Sequence, residues 1–156
     1  MEKIRAISRE IIEEKGGLVE DRIMDAMKKY PNRMLEKSAA GYVELLERLM
    51  ELNGEGNCFA DLYFGRLAPE EQQRILTVLS DEEKLVLQAH CTDEGIYFPL
   101  TKANLPLLAA LSAREILFST YYFTKYPCTV WGNYELKYPV FFGTEECVKL
   151  LEKMIQ

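Results

Sequence analysis

The sequence is poor in the residues that most often do chemistry. It has one histidine, His90, and one tryptophan, Trp131, in 156 residues. Its four cysteines, Cys58, Cys91, Cys128 and Cys147, stand far apart. No C-x-x-C pair signals a metal site, and the spacing does not suggest the disulfide framework of a small secreted domain. All four are expected to be reduced, most of them as small buried apolar residues. No apolar run approaches the ~18 residues of a transmembrane helix, so no membrane partner is expected. The opening MEKIRAISREIIEEKG is charged throughout and has no signal-peptide hydrophobic region, which points to the cytoplasm. Positive charge is not in excess either. A net charge of −6 opposes binding to nucleic acid, because a basic surface is needed to release counterions from phosphates.

Sequence fingerprints of catalysis are also missing. The glycine pair in NGEGN has no Lys-Ser/Thr after it and no strand before it, so it reads as a turn rather than a phosphate loop. No serine sits in a G-x-S-x-G elbow. The acidic pairs Glu13-Glu14, Glu70-Glu71 and Glu145-Glu146 are consecutive and cannot by themselves oppose each other across a glycosidic bond. No cofactor is expected.

What is present is unevenly distributed. Residues 1–94 hold 13 Lys/Arg against 20 Asp/Glu, and residues 95–156 hold 6 against 5. Aromatics divide the other way, five before residue 95 and twelve after it. Forty-eight per cent hydrophobic and 28% charged residues are enough for a packed core, and one domain over 1–156 is expected.

The first part, 1–94, reads as mainly helical. Ile4, Ile7, Ile11 and Ile12 recur at helical spacing until Gly16-Gly17. A second helix is expected from Leu18 to Tyr30, ended by Pro31. A third runs from near Ser38 through Tyr42, Leu45, Leu46, Leu49 and Leu52 to Asn53-Gly54. NGEGNCFADLYFGRL is ambiguous between loop and short helix. Pro69 suits a first helical turn, and Ser80 with Glu83 forms a capping box for a helix to about Ala89. The second part, 95–156, changes period. GIYFPL is a short strand candidate, and NLPLLAALS is helical from Pro106. EILFSTYYF reads as a central strand covered on both faces, with Phe118 buried. Thr144 caps a closing helix with Val148, Leu151, Met154 and Ile155 inward. The fold expected is α+β: a helical N-terminal part packed with a small antiparallel sheet of three or four strands and a C-terminal helix.

YYFTKYPCTVWGNYELKYPVFF, Tyr121 to Phe142, is aromatic at nine of its 22 positions. YPCTV and YELKYPVFF look like a hairpin around Gly132-Asn133. A two-residue loop places Trp131 opposite Tyr134. A three-residue loop pairs Trp131 with Glu135 and Thr129 with Lys137. The second sorts faces more cleanly: Tyr126, Cys128, Val130, Leu136, Tyr138 and Val140 inward, Trp131 exposed on the wetter face. The prolines of the two Lys-Tyr-Pro repeats at Lys125 and Lys137 suit an edge hairpin.

Two sets of candidate site residues follow. His90 beside Cys91 could form a thiolate–imidazolium pair, and with Asp93 supplies metal-ligand types. Helical neighbours point ~100° apart, so a histidine near a helix C-terminus, with no catalytic or metal role, is the preferred reading. The aromatic hairpin offers a contact surface of Trp131, Tyr134, Lys125, Lys137 and Tyr121, since exposed Tyr and Trp give large area at low entropic cost. Stacking on RNA has only Arg114, Lys125 and Lys137 to support it. The leading expectation is a non-enzymatic adaptor, inhibitor or regulatory protein that binds a protein partner or a second copy of itself. The alternative is a small-molecule-binding protein or enzyme with a pocket lined by Tyr97, Phe118, Tyr121 and Tyr122, to which Cys91 or His90 contributes. The cysteine spacing gives a first expected outcome: thiol titration of denatured, non-reduced protein should count four, and a count of two or none would reveal disulfides.

Overall fold

The computed structural model describes residues 2–90 and 95–155. Along the chain run α1 (Arg9–Glu14), α2 (Ile23–Lys29), β1 (Asn32–Glu36), α3 (Ala39–Asn53), β2 (Cys58–Asp61), α4 (Pro69–Thr77), α5 (Asp81–Gln88), β3 (Tyr97–Pro99), α6 (Leu105–Ala113), β4 (Thr120–Phe123), β5 (Cys128–Trp131), β6 (Lys137–Phe142) and α7 (Glu145–Ile155). A short 3-10 turn lies at Phe64–Arg66 and a tight turn at Tyr134–Leu136. The fold is α+β, with a six-stranded sheet in the order β1-β6-β5-β4-β2-β3. Every pairing is antiparallel.

The expectation of three or four strands undercounts the sheet, and both β1 and β2 come from the part read as helical. Each escapes a periodicity argument for a physical reason. In β1 only Leu35 is buried, so no alternation is visible. In β2 all four residues are buried, which removes alternation from the other side. The second helix is also shorter than expected. Residues 18–22 are not helical, and Tyr30 is extended ahead of Pro31, as a residue preceding proline prefers to be.

The helix ends follow their local chemistry. Ser38 Oγ accepts from Gly41 N at the start of α3. Ser80 and Glu83 form the reciprocal capping box of α5. Thr144 Oγ1 accepts from Cys147 N at the start of α7, whose Val148, Leu151 and Ile155 are buried.

The sheet is covered on both faces. On one, Tyr121, Phe123, Cys128, Val130, Tyr138, Val140 and Phe142 share a core with Tyr42, Leu45, Leu46 and Leu49 of α3 and Leu105, Leu108 and Leu111 of α6. On the other, Phe59 and Tyr122 meet Ile12 and Val19 of the N-terminal segment. Thr129 Oγ1 donates to Leu18 O at 2.7 Å, and Ile7 bridges to Tyr97. Central strand β4 is therefore buried at all four positions. Phe118, expected inside this strand, lies before it and is only half-buried.

Neither expected hairpin register is adopted. Thr129 pairs with Phe141 and Val130 with Val140, while Trp131 lies opposite Thr120 of β4. The strands part early because Gly132 N donates to Ser119 O at 3.1 Å, turning the chain onto the end of β4. The slip from the three-residue register is four residues, an even number, so Cys128, Val130, Tyr138 and Val140 still share the helical face. Tyr126 and Leu136 are only half-buried. The other face is not wet, because the N-terminal segment covers it, and Trp131 is half-buried there with its ring 6.4 Å from Phe141. The hairpin is also not at an edge. β6 lies between β1 and β5, with Pro139 just past the last β5–β6 pair.

A methyl group at Gly132 would sit 2.4 Å from Ser119 O. Gly132→Ala should therefore cost ~1–3 kcal/mol by overpacking against backbone, read as a lower urea midpoint. An unchanged midpoint would show that the β4–β5 end is looser than this contact implies.

Candidate functional site

His90 closes the turn after α5, where it is 3% exposed. Its Nδ1–H donates to Val86 O at 2.9 Å, and Nε2 accepts from Asn104 Nδ2 at 3.3 Å. The ring also packs edge-on to Phe98. Asn104 is committed in turn, donating to Pro99 O and accepting from Thr101 N. Both ring nitrogens are thus occupied in a neutral imidazole that ties α5, β3 and the start of α6 together. Burial lowers its pKa. Cys91 and Asp93 lie outside the described residues. No group of three or more ligating side chains converges as a metal site would require among the described residues.

The aromatic residues expected around a pocket do not form one set. Tyr121 is fully buried against the helices, and Tyr122 is buried on the opposite face of β4. Tyr97 meets Tyr122 edge to face at 5.8 Å. Phe118 is elsewhere, edge-on to Tyr134 at 4.7 Å. None of these residues nor His90 lines either of two clefts among the described residues, of about 500 Å³ and 260 Å³. Cys58 is at the floor of the larger one, its thiol pushed up to about 11 by burial, so it is a neutral group there.

The hairpin residues also separate. Tyr134 is 62% exposed at the β5–β6 tip. Lys137 is beside it, 3.6 Å from Glu135. Lys125 is in the β4–β5 turn, at the opposite end of β5, with its ammonium over Tyr126. Tyr121 is inside and unavailable. The tip has an unusual backbone. Among the described residues only Glu115, Glu135 and Leu136 have positive φ without being glycine, at 57°, 59° and 58°. All three meet here, because Glu135 N donates to Glu115 Oε2 at 2.8 Å. The following turn is pinned by Tyr42, whose hydroxyl donates to Leu136 O at 2.7 Å and accepts from Tyr138 N at 3.3 Å. The Tyr42 and Tyr138 rings stack at 4.0 Å. Arg114, next to Glu115, reaches Val78 O and Glu83, bringing exposed Val78 to the same end of α6.

A further residue escaped the sequence reading. Asp61, at the end of β2, is 5% exposed, and its carboxylate accepts from Thr120 N at 2.9 Å and from Tyr122 Oη at 3.0 Å. Burial outweighs both donors and pushes its pKa up to about 7. The available signal was one carboxylate inside the apolar run Cys-Phe-Ala-Asp-Leu.

Comparison with known proteins gives no match, whether to a family model, to a curated protein or to a solved structure.

Asp61 and His90 give opposite pH dependences. Folded Asp61 holds its proton to about pH 7, whereas an unfolded aspartate loses it near ~3.9. The folded state binds more protons between those values, so this contribution to stability declines as pH rises through that window. Folded His90 stays neutral where the unfolded imidazole protonates, below ~6.5, so its contribution declines as pH falls below that value. Asp61→Asn mimics the neutral carboxyl. It should raise the urea midpoint at pH 8, by on the order of 4 kcal/mol in stability, and by only about 1.5 kcal/mol at pH 5, where the unfolded aspartate is already ionised and the folded one is not. Equal effects at both pH values would show that Asp61 is ionised throughout.

Proposed function

We propose that the protein is a non-enzymatic interaction module and that it meets a protein partner through the β5–β6 tip. The observation that carries this reading is the coincidence of strain and exposure. Left-handed backbone costs ~1–2 kcal/mol for each non-glycine residue. Strain of this kind persists where surrounding structure enforces it and tends to gather at functional sites. Here Glu115, Glu135 and Leu136 occupy one place, and beside them stands exposed Tyr134, edge-on to half-buried Phe118.

The surface has the make-up of a contact patch. Tyr134 supplies apolar area and a hydroxyl on a ring with few internal freedoms. Phe118 buttresses that ring, and Glu135 and Lys137 give a charged rim of both signs. Tyr42 fixes the loop from below, so little order remains to be imposed when a partner docks. Catalysis through His90 has little to recommend it, since both imidazole nitrogens are engaged within the fold.

Tyr134→Asp should leave the unfolding midpoint nearly unchanged, within ~0.5 kcal/mol, because the side chain is exposed. It should cost ~2 kcal/mol or more in affinity for a partner captured by the wild-type chain. Leu150→Asp, a substitution at an exposed position on α7, is the control and should retain the partner. Capture that survives Tyr134→Asp, or is lost equally in both variants, would sink the reading.

A further inference from the structure

The larger cleft lies at the far end of the α3–α6 pair from the β5–β6 tip. The tip is held by Tyr42 at the start of α3 and Glu115 after the end of α6. The cleft is lined by the end of α3 and the start of α6. Its volume, about 500 Å³, falls in the range of sites that enclose small molecules. Met50, Leu100 and Leu105 give it an apolar floor.

The walls carry charge of mainly one sign. Glu47, Glu51 and Glu55 line the cleft against a single cation, Lys102. Among the described residues none of these four groups has an ion-pair partner within 4.0 Å. The C-terminus of α3 adds the negative end of its dipole. An anion is therefore disfavoured. A small metal ion is disfavoured too, because the three carboxylates do not converge on one point. Glu47 and Glu51 are four residues apart on α3, which separates them by ~6 Å along the helix axis. Ammonium groups joined by three or four methylenes have nearly that spacing, and the methylenes between them would lie on the apolar floor.

We propose that this cleft is a binding site for a linear alkyl polyamine. Glu47 and Glu51 each receive one ammonium group, Glu55 closes the mouth, and Met50 and Leu105 cover the linker. Lys102 opposes the ligand and sets a limit on its affinity. The proposal is independent of the tip surface, since the two occupy opposite ends of the helix pair.

Spermidine titrated into the full chain by calorimetry tests it. One saturable site is expected, weakened by added salt as partly exposed ion pairs are. Glu47→Gln/Glu51→Gln should weaken binding by about tenfold or more, and Lys102→Ala should strengthen it. Pro106→Phe, at an exposed position on the rim, should block the cleft and abolish binding. Circular dichroism and urea midpoints establish that each variant is folded. No saturation by about 10 mM spermidine overturns the proposal. So does binding that survives Glu47→Gln/Glu51→Gln, or displacement by magnesium at matched ionic strength as effective as by spermidine. A lysine oligopeptide that binds roughly tenfold more tightly than spermidine would transfer the site to a basic protein segment and overturn the polyamine assignment.

Discussion

Strand β4 has large side chains on both faces, and the rest of the molecule is arranged to keep both away from water. Tyr121 and Phe123 point to α3 and α6, while Thr120 and Tyr122 point to the other side. Fully burying one such apolar side chain contributes ~1.5–3 kcal/mol. A helical layer on one face alone would forfeit that gain at Tyr122 and at its neighbours Phe59 and Phe141. The N-terminal segment supplies the second cover. Ile12 and Val19 fill the space over Phe59 and Tyr122, and Tyr30 stacks on Phe141 at 5.6 Å. That role explains why residues 18–22 are not helical. A chain crossing a sheet face must offer side chains to it along its length, and Leu18 also offers its carbonyl to Thr129.

The same packing reaches the surface through Tyr42. This residue is buried in the helical core, yet its hydroxyl holds both Leu136 O and Tyr138 N. Its two hydrogen bonds, with the stacking on Tyr138, offset the backbone strain at Glu135 and Leu136. The chain from core residue to strained turn to exposed Tyr134 is short. A surface patch with this support is rigid in a way that a loop tip of polar residues would not be.

Buried polar groups do a different job. His90 and Asn104 join three elements by hydrogen bonds that no apolar pair of similar size could make. Asp61 joins β2 to β4 through Thr120 and Tyr122. Such groups contribute little net stability, since each must be desolvated, but misplacing them leaves an unpaired polar atom inside. They therefore discriminate against alternative packings of the same apolar surfaces. In Asp61 the desolvation is large enough to move the titration toward neutrality.

The sequence by itself determined the elements whose signals are local. Ser38, Ser80 with Glu83, and Thr144 set helix starts, because a cap is a contact between residues three or four apart. The α+β class and the inward face of α7 were equally legible from composition and period, as was a strand buried on both faces, although it starts at Thr120 and not at Glu115. The shared face of Cys128, Val130, Tyr138 and Val140 was legible too, because parity survives an even slip, whereas the half-burial of Tyr126, Trp131 and Leu136 was not. Only the tertiary structure decided the rest. The register turned on Gly132 meeting Ser119, two residues whose approach no local pattern encodes. Strands β1 and β2 exist because β6 and β4 offer them edges, not because their own residues alternate. Trp131 became half-buried, Tyr121 fully so, and Lys125 distant from both, according to which layer happened to lie above each. Burial is a property of the assembled layers, and so is any site that depends on it.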